Sequence, residues 1–98
     1  MDYSQLSDFE INCRVAYHIG LKTVERAEEG EFKPCENPAD ALPIITANKI
    51  SIYAMSEVDT RGKWGAEAFY PNEAYHFNDN PLRAAMIVFL MMQDAKHA

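Results

Sequence analysis

The chain has 98 residues, 48% hydrophobic and 24% charged, which fits one domain, residues 1–98, with its own core. Four Gly and five Pro exclude a collagen-like or low-complexity chain. Nine Lys and Arg against fifteen Asp and Glu leave a net charge of -6, a poor match to general nucleic-acid binding, which needs basic patches. The acid is uneven: residues 1–40 hold nine acids and four bases, residues 41–98 six and five.

The spacing predicts a helix over residues 4–20. Ser7 is placed to cap it, Glu10 completes a capping box, and Leu6 and Ile11 can staple the entry. Ile11, Val15 and Ile19 make one apolar face, and Gly20 is the expected stop. Residues 21–36 read as a hairpin through Lys22-Thr23-Val24 and Phe32, or equally as an acidic loop.

A second helix follows Asn37-Pro38 or Asp40 and runs to about Asn48, with Leu42, Ile44 and Ile45 facing inward. Pro43 kinks it if it starts at Pro38. The period then changes to two over Ile50–Met55 and again over Lys63–Tyr70, where Trp64, Ala66, Ala68 and Tyr70 share one face. A short strand at Ala74–Phe77 and a helix from Asn80-Pro81 to about Lys96 complete the chain. The last helix is apolar nearly all round, so residues 84–92 predict burial on more than one side and a homo-oligomer, most simply a two-fold dimer. The fold expected is α+β: an α-β-α sandwich, an antiparallel sheet with helices on both faces.

Three stretches, MDYSQLSDFEIN, PCENPADALPIITANKISI and NPLRAAMIVFLMMQ, resemble the NinX-type accessory proteins of tailed bacteriophages. The resemblance implies a phage origin and an α-β-α fold, and it carries no activity with it. Leu42 stands where the family suggests an aromatic residue. The opening Met-Asp-Tyr lacks the basic and apolar regions of a signal peptide, and the longest apolar run, Ala84–Met92, is too short to span a bilayer. With the phage resemblance, this places the protein in the host bacterial cytoplasm, where Cys13 and Cys35 read as free thiols.

No CxxC motif, P-loop, dinucleotide fingerprint or nucleophile elbow occurs, so neither metal, cofactor nor catalysis is expected. His18, His76 and His97 are scattered, and His76 with Asp79 makes only a weak acid–base pair. Arg83 breaks a local rule: it puts a cation in the first turn of a helix, where the dipole favours anions. Either Arg83 pairs with Asp79 or Glu73 on the surface, or it joins Asn80 and the helix N–H groups as an anion site. Trp64, Tyr70, Tyr75 and His76 lie just before it and could stack on a base. These six residues predict capture of a small, anionic, nucleotide-like signal molecule of the host, a counter-defence role. On that reading, loss of Arg83 weakens binding and leaves folding intact. The alternative is a protein–protein inhibitor that meets a basic host protein through Glu25, Glu28, Glu29, Glu31 and Glu36.

Overall fold

A computed structural model describes residues 1–96; His97 lies outside the described residues. A 3-10 turn, Tyr3–Gln5, precedes α1 (Asp8–Ile19), α2 (Leu21–Glu28) and α3 (Pro38–Ala47). Three strands follow, β1 (Ser51–Ala54), β2 (Trp64–Ala68) and β3 (Ala74–Asn78), and then α4 (Pro81–Lys96).

The predicted capping box is present: Ser7 Oγ accepts from the Glu10 N–H at 3.1 Å and Glu10 Oε1 from the Ser7 N–H at 2.9 Å. Helix α1 therefore starts at Asp8 and not at residue 4. Gly20 ends it at φ 157° and ψ 164°, a region essentially confined to glycine. Ile11 and Val15 are buried as expected, whereas Ile19 is exposed, because the last turn of α1 runs past the core.

Residues 21–28 are neither hairpin nor loop but the helix α2. Its residues are mostly good helix formers, and Val24 and Ala27, three apart, turn toward the core. The loop after it is ordered by burial of Phe32, Pro34 and Cys35. Helix α3 does start at Pro38, with Asn37 Oδ1 capping the Ala39 N–H at 3.0 Å, so Pro43 lies inside it. Ile44 and Ile45 face the core as expected, whereas Leu42 is exposed.

The strands form one antiparallel sheet in the order β1-β2-β3. Ile52, Ala66 and His76 pair across it on one face, and Tyr53, Gly65 and Phe77 on the other. Buried Ala66, Ala68 and Ala74 let α4 lie close on the first face. On the second face the Tyr53 ring covers Gly65: a Cβ there would stand 2.4 Å from that ring, so the tyrosine would have to swing aside. Strand β2 ends at Ala68, so Tyr70 does not share a strand face with Trp64 and is 83% exposed.

The α+β class and the antiparallel sheet are as expected. Helix α4 packs on all three strands, and α1 and α3 pack on α4. The apolar surplus of residues 84–92 is thereby absorbed within the protomer. Every residue from Ala84 to Leu90 is buried, as is Met92, so this face is not free to hold a dimer.

Ile87 is 2% exposed. Ile87→Asp should then lose roughly 4–5 kcal/mol or more, because an unpaired carboxylate would enter the core. The expected result is an abolished cooperative melt by circular dichroism. A folded variant with altered oligomeric state would contradict this packing.

Candidate functional site

The residues singled out in the sequence do not converge on one ligand site. The Asn80 Oδ1 accepts from the N–H groups of Leu82 at 2.9 Å and Arg83 at 3.2 Å, which caps α4. Its Nδ2 donates to the Cys35 carbonyl at 2.8 Å. The Cys35 N–H in turn donates to Oδ1 of buried Asn12 at 3.0 Å. The peptide of Cys35 is thus clamped between α1 and the start of α4, and burial pushes its thiol up to about 12.

Arg83 pairs with neither Asp79 nor Glu73. Its guanidinium donates to Asp8 Oδ1 at 2.7 Å, to the Leu6 carbonyl at 2.7 Å and to the Ser4 carbonyl at 3.2 Å. The side chain is 13% exposed. A cation at the positive end of α4 is tolerated because Asp8, an acid in the first turn of α1, stands against it. The N–H groups and the cation expected to hold an anion are therefore already occupied by the protein.

The four ring residues separate. Trp64 and His76 lie on the face toward α4, whereas Tyr75 lies on the opposite face with its ring 5.8 Å from that of Phe77. His76 does not pair with Asp79, which accepts from the Lys63 N–H at 3.1 Å. The neighbours of His76 are Asn78, Asp2 and Arg83, and burial together with the Arg83 charge lowers its pKa.

Two concavities among the described residues are open to solvent. The first, about 390 Å³, lies where α3 and α4 end and the β2–β3 connection passes. Its walls include Asn48, Lys49, Phe69, Tyr70, Met92 and Lys96. Lys49 sits at φ 53°, the left-handed position after a helix end. Neither lysine has a carboxylate within ion-pair distance among the described residues. Phe69 and Tyr70 are exposed. Tyr70 alone of the predicted site residues reaches this hollow. Its signal in sequence was weak, since Lys49 and Lys96 lie far apart in the chain.

The second concavity, about 530 Å³, runs between α1 and α4, with Phe9, Cys13 and Tyr17 on one side and Tyr3, Leu90 and Asp94 on the other. The Tyr3 hydroxyl donates to Asp94 Oδ2 at 2.5 Å. Burial and this hydrogen bond push the Tyr3 phenol up to about 12. His18 stands edge-on to Tyr17 and Phe89. No group of three or more His, Cys, Asp or Glu suited to a metal ion occurs among the described residues.

Two outcomes follow from these networks. Arg83→Ala should destabilise the fold by about 2–3 kcal/mol, since Asp8 and two carbonyls lose a charged donor. Urea unfolding checks it, and Arg83→Lys should not restore the loss, because an ammonium cannot reproduce the fork. An unchanged urea midpoint would overturn the structural role. For Tyr3, the unfolded chain releases the phenolic proton near the ordinary value of about 10 and the folded chain near 12. The stability it lends is complete below pH 10 and is lost as pH rises toward 12. Absorbance titration should show a late tyrosine step near pH 12 that Tyr3→Phe removes.

The polar clamp joins the segments 4–12, 35 and 80–83, which belong to the stretches that carried the resemblance noted in the sequence. No curated protein and no solved structure matches the chain. A family model described as Bacteriophage P22, NinX matches residues 2–93. With the match running from the first turn to the last helix, the chain belongs to the NinX family of bacteriophage proteins.

Proposed function

We propose that this phage accessory protein acts by binding and not by catalysis, and that it captures a small anionic, nucleotide-like ligand. Sequestration of a host signal of that chemistry is its role in infection. The observation that supports this is the hollow at the ends of α3 and α4. There Lys49 and Lys96, without carboxylate partners among the described residues, stand beside the exposed rings of Phe69 and Tyr70. Ammonium groups meet phosphate as point charges, and exposed rings offer a face to a base. About 390 Å³ suits a ligand of mononucleotide size.

The helix ends here are C-termini, whose carbonyls repel an anion. The two lysines offset that repulsion, so both are needed. This site replaces the Arg83 end of α4, whose donors serve the fold.

Calorimetric titration with adenosine 5′-monophosphate, adenosine and inorganic phosphate tests the reading. The monophosphate should bind more tightly than either fragment. Lys49→Ala with Lys96→Ala should weaken it roughly ten- to a hundredfold, and Tyr70→Ala about tenfold, at unchanged melting temperature. Absence of binding, or binding insensitive to these variants, would refute the site.

A further inference from the structure

The outward side of α1 carries an apolar stripe. Phe9, Cys13 and Tyr17 recur every four residues, on a different side of the helix from buried Ile11 and Val15. Phe9 is 52% and Tyr17 76% exposed. They form one wall of the groove between α1 and α4, with Leu90 at its base.

The charge around the stripe has one dominant sign. Glu10 and Asp94 line the groove together with Arg14 and His18, and each carboxylate accepts one hydrogen bond, Glu10 from the Ser7 N–H and Asp94 from the Tyr3 hydroxyl. Exposed Glu28 on α2, the helix packed against α1, is near Cys13: burial first and then its charge raise that thiol's pKa. An apolar wall with an acidic rim complements a segment that is apolar on one side and basic on the other. It does not suit an anion. Nor does it suit a second copy, because a two-fold contact here would set acidic rim against acidic rim.

We propose that the α1–α4 groove docks a basic amphipathic segment of a partner protein. Its apolar side chains lie against Phe9, Tyr17 and Leu90, and its Lys or Arg groups meet Glu10, Glu28 and Asp94. This surface is separate from the hollow at Lys49 and Lys96, and the two readings stand or fall independently.

The probe is a fluorescein-labelled helical peptide of about 18 residues, built from Leu, Ala and Lys with Leu at i, i+3, i+4 and i+7 spacing. Its counterpart carries Glu for Lys. Anisotropy titrations with the full chain should show saturable binding of the Lys peptide and at least about tenfold weaker binding of the Glu peptide. Tyr17→Ser and Glu28→Lys should each weaken the Lys peptide about tenfold or more. Both replace exposed side chains, so the folded spectrum should persist. Glu57→Lys makes the same charge change outside the groove, between β1 and β2, and should alter affinity less than about twofold. The proposal is overturned by no saturable binding, by equal binding of the Glu peptide, or by an equal loss in Glu57→Lys. Light scattering that finds a dimer abolished by Tyr17→Ser would assign the groove to a second copy and overturn it as well.

Discussion

The guanidinium of Arg83 fixes how the start of the chain meets the start of α4. It reaches from the first turn of α4 to Asp8 and to the carbonyls of Ser4 and Leu6, across more than seventy residues. Beside it, Asn80 caps α4 with one end of its amide and holds the Cys35 carbonyl with the other, while Asn12 takes the Cys35 N–H. Two helix starts and a connecting loop are thereby fixed at one place. Asn12, Cys35 and Asn80 are buried or half-buried, so leaving one of them unpaired costs more than its bond contributes.

With its start held, α4 can serve as the centre of the domain. A helix apolar on all sides needs neighbours on all sides, and here they come from the same chain. The sheet contributes alanines at positions 66, 68 and 74, and α1 and α3 cover further sides. The packing leaves the apolar residues Phe9, Tyr17, Phe69 and Tyr70 outside the core, each beside an open concavity. In a small domain whose core is already filled by α4, exposed rings at concave places mark where a ligand or partner gains the most from contact.

Much of the candidate site was hidden in the sequence because it depends on distant residues. Tyr70 was visible as a candidate, but its company was not: Lys49 follows α3 and Lys96 closes α4. The groove between α1 and α4 was hidden for the same reason. Phe9, Cys13 and Tyr17 are a legible four-residue repeat, yet only the packing of α1 through Ile11 and Val15 leaves that repeat facing outward. Arg83 was legible as an anomaly. Its cause was not, since nothing local connects it to Asp8.

By itself the sequence determined the helix caps, the two strands after the second helix, the final helix and the family. Capping boxes, Asn-Pro starts and period-two patterns act within a few residues, so they survive reading in one dimension. Only the tertiary structure decided that residues 21–28 form a helix, where eight residues are too few to hold a helix alone and burial of Val24 and Ala27 against the core tips the balance. It alone decided that the surplus of α4 is spent inside the protomer and that Arg83 serves the fold. Burial and ion pairing depend on which distant segments arrive at a residue, and that is a property of the packed chain.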